Sequence, residues 1–406
     1  MSQIHEKEPF MKRSTMAMLA ALATTACEVS GEGLGTDPGV RDPMSTGAPG
    51  ARGGGVPGTD SADGGLGAAP PGAGPSPTSP TPSPTPGGAK TPAPAYATSG
   101  AKLTDPCGQE VVLRGINKMA VFADRKGDSF PEIAMTGANA VRFMWLTSEP
   151  ATEAVQTIQR AIDSELVPMW ELHDATGDFS KMPQIEAFWT DASTVGVLKQ
   201  FESRLLVNLA NEAGQTVSDA TFTATYTQLV QKLRTAGVRS PFVIDAAGYG
   251  RNVEQLLRVA PGLIAADPLH NLVFSWHVYD SGAGETARID QALATAAAQK
   301  LPLIFGEFGN VSPGACGQAV PYQHLITRAA ASGVGYFPWS WDNFNGDCSN
   351  GTSSAFDMVA DGLHASTLKA GWATEVVTTH AASIQKTSKR TLWQTKAAVA
   401  SGKCGP

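Results

Sequence analysis

From residue 111 onward the chain repeats one pattern. Short, continuous apolar runs alternate with longer stretches of helical periodicity. The runs occupy 111–116, 140–145, 166–172, 205–209, 242–246, 272–276, 302–305 and 334–341. Helix-type segments lie between them, at 152–165, 219–236, 285–299 and 318–331 among others. The runs lack internal polar alternation, which suits strands covered on both faces. Eight strand–helix units in about 280 residues predict an α/β fold, a (β/α)8 TIM barrel. A doubly wound open sheet is the competing arrangement. It would carry a Gly-rich phosphate loop after its first strand, and R-G-I-N-K at 114–118 is no such loop.

Upstream of residue 96 the pattern stops. Residues 31–95 hold 17 Gly and 14 Pro, and no Phe, Trp or Tyr occurs from Met11 to Ala95. Such a stretch buries too little apolar surface to offset chain entropy, so 28–95 is expected to be a disordered linker. Its Pro-rich part, 75–86, favours extended polyproline II. Ahead of it, Lys12-Arg13, an apolar segment at 16–23 and small residues before Cys27 have the layout of a secretory signal. That apolar segment is too short for a permanent membrane span. Met1 and Met11 are both candidate starts. Cys27 after Ala26 resembles a bacterial lipoprotein processing site, although Thr24 stands where Leu is preferred. The expected division is 1–27 extension and signal, 28–95 linker, and 96–406 one barrel domain. The expected location is secreted, or tethered to the cell surface or outer membrane through a lipidated Cys27.

Four further cysteines, Cys107, Cys316, Cys348 and Cys404, suggest two disulfides in an exported protein. Three connectivities are open. Cys107–Cys404, tying the ends of the domain, and Cys316–Cys348, joining neighbouring loops, are favoured. No C-x-x-C pair supports a structural zinc. The net charge is −7 with no basic stripe, so a nucleic-acid partner is not expected.

In such a barrel, chemistry sits at the C-terminal strand ends. There stand Asn117, Arg142, His173, Asn211, Glu212, Asp245, His277, Tyr279, Glu307 and Trp339. Glu212 follows the fourth apolar run and Glu307 the seventh, so the two can face each other across the mouth. Glycoside hydrolysis needs such a pair, one carboxyl as acid/base and one as nucleophile. Burial would raise the acid, and donors would keep the nucleophile ionised. Arg142, His277 and Tyr279 are the candidate donors.

Several ordered motifs extend this picture: V-L-R-G-I-N (112–117), T-G-A-N-A-V-R (136–142), E-L-H-D-A-T-G (171–177), N-L-A-N-E (208–212), V-I-D-A-A-G-Y-G (243–250), A-D-P-L-H-N (266–271), W-H-V-Y (276–279), G-E-F-G (306–309) and W-S-W (339–341). With these the chain resembles glycoside hydrolase family 5, and within it the bacterial endo-β-1,4-mannanases. The resemblance implies a retaining endo-glycosidase acting on β-1,4-linked mannan through a covalent glycosyl-enzyme. It puts the acid/base at Glu212 and the nucleophile at Glu307. It makes Asn211 a partner of the sugar 2-OH, and Arg142 and Tyr279 donors to the nucleophile. His173 and His277 contact the sugar or orient the catalytic groups, and Trp339 forms an aromatic floor. No cofactor or metal is indicated by the residues, and a monomer working on a neutral plant polysaccharide is expected.

One departure stands out. Ala213 follows Glu212 where the mannanases usually carry Trp, which leaves the endo-β-1,4-glucanases (cellulases) of the same family as the alternative. Trp145 is either a compensating sugar platform or core. Trp170 and Trp189 read as core. Trp276, Trp341, Asp342 and Asn343 read either way. A metal hydrolase would need a His pair after the first run, a serine hydrolase G-x-S-x-G, and neither occurs. A non-catalytic carbohydrate-binding barrel would dispense with one glutamate, and both are present.

Overall fold

The computed structural model describes residues 93–349 and 354–404. The signal expected at 1–27 and nearly all of the linker expected at 28–95 lie outside the described residues. The last three residues of that expected linker pack with the domain. Ala93 donates its amide to Pro106 O, and Ala95 is buried.

Eight parallel strands form one sheet in chain order. They are β1 (Gly115–Lys118), β2 (Ala140–Trp145), β3 (Val167–Leu172), β4 (Leu206–Asn208), β5 (Phe242–Asp245), β6 (Leu272–Val278), β7 (Leu303–Phe308) and β8 (Gly335–Pro338). The sheet closes where Arg114 bridges to Tyr336, whose amide donates to Leu113 O at 3.0 Å. This is the (β/α)8 barrel. Two expected elements differ. The first strand begins at Gly115 rather than 111. The helix expected from 318 begins at Tyr322, because Ala315–Ala319 instead pairs with Val311–Ser312 as a hairpin.

The outer helices follow ordinary rules. In Asp219–Thr235 the Ser218 side chain accepts from the Thr221 amide at 3.1 Å, and Lys232 and Arg234 occupy the last turn. Its buried residues, Phe222, Tyr226, Leu229, Val230 and Leu233, recur at helical spacing and face the barrel.

Strand parity sorts the interior. Side chains alternate faces along a strand. Ala140, Val167, Leu206, Val243, Val273 and Ile304 share one apolar cluster low in the barrel, which Phe337, Tyr96, Leu103 and Trp393 complete. On the same parity, two or four residues further up, stand Arg142, Glu171, Asn208, Asp245 and His277. The opposite parity carries Phe143, Trp145, Trp170 and Trp276 out to the helix layer. Trp145 is therefore core and supplies no sugar platform. Trp170, Trp189, Trp276 and Trp341 are buried as well.

The lower mouth is plugged by the first and last segments of the described domain. A hairpin missed in the sequence, Ala97–Ser99 with Lys102–Thr104, is pinned by Asn271, which donates to Tyr96 O and accepts from the Thr98 amide, both at 2.9 Å. The Arg204 guanidinium lies 3.7 Å from the Trp393 ring centre and bonds Ala398 O. Cys107 is bonded to Cys404, and Cys316 to Cys348, the two favoured pairings. Asp267 and Asn271 of the A-D-P-L-H-N motif also serve this end. Asp267 takes a two-pronged ion pair from Arg234.

Candidate active site

At the upper mouth Arg142 is the hub. Its Nη1 donates to Glu307 Oε1 at 2.7 Å and Asn117 Oδ1 at 3.0 Å. Its Nε donates to Asn208 Oδ1, and its Nη2 to Asn211 Oδ1, both at 2.7 Å. Nη2 also lies 3.3 Å from Asp245 Oδ2 and 3.9 Å from Glu171 Oε2. Burial alone would lower its pKa, but the charges of Glu171, Glu307 and Asp245 outweigh that and keep it cationic. A planar fork with five donors suits this load; a lysine could not span it.

Glu307 reaches the interior through an irregularity. Ile304 faces inward, so simple alternation would turn Glu307 out. The β6–β7 register shifts at this point: Trp276 pairs with Phe305, but the next residue, His277, pairs with Glu307. Gly306 is the extra residue, and such a bulge re-aims the side chain beside it. Glu307 then accepts from Arg142 and, at 2.9 Å, from the Tyr279 hydroxyl. Burial and the nearby carboxylates raise Tyr279 well above its ordinary value, so it stays a donor.

Glu212 lies four residues past β4 in left-handed backbone, φ 46°. Its amide is 3.3 Å from Asp245 Oδ2, and its Oε1 is 2.8 Å from His277 Nδ1. Burial would lower His277, but Glu307 and Asp245 outweigh it and push its pKa up to about 10. Asp245 is pulled down to about 2, since His277 and Arg142 outweigh its burial.

Ligand atoms of Glu212, His277 and Glu307 lie within 4.8 Å of one another. In this structure the three groups pair with one another, His277 Nδ1 lying 2.8 Å from Glu212 Oε1 and 3.5 Å from Glu307 Oε2. The carboxylates interact strongly enough to titrate as a pair. Burial raises Glu307, and the Glu212 charge adds to it against His277 and Arg142. Burial also acts on Glu212, but the His277 bond and charge outweigh it and lower the group. These directions reverse the sequence expectation, because the imidazolium sits directly on Glu212.

His173 contacts both Glu171 oxygens at 3.2 and 3.3 Å. Burial would lower it, and the Glu171 charge and bond more than compensate. Its ring stacks on Trp339 at 5.8 Å and 13°. Trp339 is half-buried, and its Nε1 donates to Asn345 at 2.9 Å. Asn211 also donates to Thr176 Oγ1 at 2.8 Å. The ten strand-end residues singled out in the sequence, Asn117, Arg142, His173, Asn211, Glu212, Asp245, His277, Tyr279, Glu307 and Trp339, thus converge at this mouth.

Other supports were given no role by the sequence. Glu171 and Asn208 sit beneath the carboxylates, and inward parity would have found them. Lys118, fully buried, donates to Asp342 Oδ1, Trp341 O and Gly362 O, each at 2.8 Å. Asp342 also accepts from Ser340 and the Met119 amide, so it anchors the Trp339 loop. Asn343 is exposed and bonds Ala360 O. Ala213 is buried and bridges to Thr176.

The comparisons agree with this geometry. Residues 104–345 match the family model described as Cellulase (glycosyl hydrolase family 5). The chain is 29% identical over 279 residues to the mannan endo-1,4-beta-mannosidase of Cellvibrio japonicus, covering 66% of this chain and 62% of that protein. It is 28% identical over 254 residues to the mannan endo-1,4-beta-mannosidase of Salipaludibacillus agaradhaerens, covering 61% and 81%. Among solved structures, the beta-mannanase from Streptomyces thermolilacinus with mannohexaose superposes with a TM-score of 0.66 at 26% identity, covering 74% of this chain and 99% of that one. The chain belongs to glycosyl hydrolase family 5.

Proposed function

We propose that the chain is a retaining endo-β-1,4-mannanase that cleaves mannan-type plant polysaccharide through a covalent glycosyl-enzyme. The carboxylate spacing carries this reading. Oxygens of Glu212 and Glu307 lie within 4.8 Å. Double displacement works at about 5–5.5 Å, whereas inversion needs about 6.5–9.5 Å to admit a water.

In the first step a Glu307 oxygen bonds to the sugar C1. The glycosidic C–O bond breaks, and Glu212 gives its proton to the departing oxygen. In the second step water gives a proton to Glu212 and its oxygen to C1, which releases Glu307 as carboxylate. Positive charge growing at C1 stabilises the Glu307 anion and so moves the pair's proton onto Glu212. Arg142 and Tyr279 hold Glu307 in its attacking position, which suits it as nucleophile. Trp339 offers a flat apolar face to the sugar.

The mannan preference is supported by the two relatives and the mannohexaose-bound neighbour. Secretion, or tethering through Cys27, belongs to the same proposal, since a polymer this large is cut outside the cell. So does action as a monomer.

Reducing-end release from mannan, galactomannan and carboxymethyl cellulose tests the reading, with the anomer of the first product followed by NMR. Mannan cleavage yielding the β-anomer first is expected. Replacing Glu212 by Gln should cost about 10²–10⁴ in rate. Dominant cleavage of the glucan would move the assignment to a cellulase, and an α-anomer would rule out double displacement.

A further inference from the structure

We propose that Asp245 is a positioning residue for the acid/base. It frames Glu212, His277 and Arg142 from β5 without itself reaching the sugar. This rests on the roles just proposed for Glu212 and Glu307.

Asp245 is fully buried at the end of β5. Its Oδ2 meets three groups from three strands: Arg142 Nη2 at 3.3 Å, the Glu212 amide at 3.3 Å and His277 Nε2 at 3.4 Å. Its Oδ1 accepts from Asn208 Nδ2 at 3.1 Å. It therefore acts on the reaction only through these neighbours.

His277 transmits the effect because its ring is held in a slot. A Cβ on Gly250 would fall 2.6 Å from Nδ1, and one on Gly306 3.0 Å from Nε2. Neither glycine could be larger without moving the ring. The His277 amide also donates to Gly250 O at 2.8 Å. So held, the imidazole turns Nδ1 toward Glu212 and sets Nε2 3.4 Å from Asp245 Oδ2, an ion-pair contact, while Nε2 makes no hydrogen bond among the described residues.

The charges around the ring are few. Glu212 faces it from β4, Asp245 from β5 and Glu307 from β7, the last at 3.5 Å. Arg142 from β2 is an opposing cation, His173 past β3 and Arg251 past β5 act on Glu212 as well, and Ser275 lies on the ring's own strand with Tyr279 just beyond it. Tyr226, from helix Asp219–Thr235, feels the Asp245 charge from behind. If Asp245 loses its charge, His277 gives up its proton at lower pH. Glu212 then loses the nearest of its cations, with His173 and Arg251 left, and keeps its own proton to higher pH.

The test is Asp245→Asn in the full chain, with kcat and KM on mannan across pH. The alkaline limb of kcat should move up by about one pH unit, and kcat at neutral pH should fall about tenfold, the rate equivalent of one mis-set pKa unit. KM should stay within about twofold, because Asp245 touches no sugar. A wild-type pH profile, or a loss seen only in melting temperature, overturns the proposal. Should the variant fail to fold, nitrogen NMR on selectively labelled wild type decides. His277 protonated on both ring nitrogens at pH 8 is expected, and a neutral ring there overturns the proposal. Wild type inert on both mannan and glucan would defeat the functional reading alone, since the NMR result stands apart from turnover.

Discussion

The two mouths of the barrel use the same eight strands in opposite ways. Along one parity the side chains run from Ala140, Val167, Val243 and Val273 below to Arg142, Glu171, Asp245 and His277 above. Below, Tyr96, Leu103 and Trp393 close the mouth, with the two ends of the domain joined at Cys107–Cys404. Those contacts are mainly apolar and need little direction, so each adds its own increment. Above, buried charges meet. A buried ion pair offsets its desolvation only when every partner is present, and a partly satisfied network is worse than none. The lower mouth should therefore fail by degrees and the upper mouth at a single stroke.

Arg142→Leu breaks the upper mouth most severely. It strands Glu307, Asp245 and Glu171 without their cation, which should cost about 3–5 kcal/mol of stability and all turnover. Denaturant unfolding and mannan hydrolysis measure both. Arg142→Lys keeps the charge but loses the fork to Asn117, Asn208 and Asn211, so it should fold and turn over poorly. Full activity in the lysine variant would refute the fork's importance. Below, Cys107→Ser with Cys404→Ser opens a link across 297 residues. Unfolding should become easier by about 2–5 kcal/mol, with kcat of the folded protein unchanged. A matching fall in kcat would show that the two mouths are coupled.

Acid and alkali should also strike the upper mouth. His277 is raised from 6.5 to about 10. Its stabilising contribution is whole below 6.5 and is lost as pH climbs through 10. Asp245 is lowered from 3.8 to about 2. Its contribution is whole above 3.8 and is lost as pH drops through 2. Melting temperature should fall on both flanks, and Asp245→Asn should flatten the acidic one. An acidic flank unaltered in that variant would assign it to other carboxylates.

The barrel was legible because its strands are buried on both faces and so read as unbroken apolar runs. That same continuity hid parity. Trp145 read as a candidate platform because position in the run says nothing about which face it takes, and Glu171 stayed unseen inside its run. The bulge at Gly306 was beyond a strand pattern, since it depends on how β7 registers with β6. The lower plug was illegible for another reason. Ala97–Ser99 and Lys102–Thr104 are short strands that gain stability from tertiary contacts, such as those of Asn271 and His270, far off in sequence. Ala213 was legible as a missing aromatic, but what lies beside it was not.

Tyr249 marks that side of the mouth and should give the smallest effect. The β5 loop folds against the acid/base loop, with the amides of Gly248 and Tyr249 at 2.9 and 3.4 Å from Gly214 O. Tyr249 has left-handed backbone, φ 56°, and is half-buried. Its ring covers Gly177, where a Cβ would fall 2.3 Å from Cε1, and its hydroxyl accepts from Gln215 Nε2 at 2.9 Å. Aromatic rings beside the Glu212 loop thus come from Tyr249 in the loop after β5 and from Phe179, whose Cβ would lie 2.9 Å from a Cβ on Gly214, not from position 213. An aromatic contact of this kind is worth about 0.5–1.5 kcal/mol. Tyr249→Ala should therefore raise KM on mannan about two- to tenfold and leave kcat nearly unchanged. Tyr249→Phe keeps the ring and loses only the Gln215 bond, so it should behave like wild type. If the phenylalanine variant fell as far as alanine, the hydroxyl would be what matters, and Tyr249 would hold the loop rather than face the sugar.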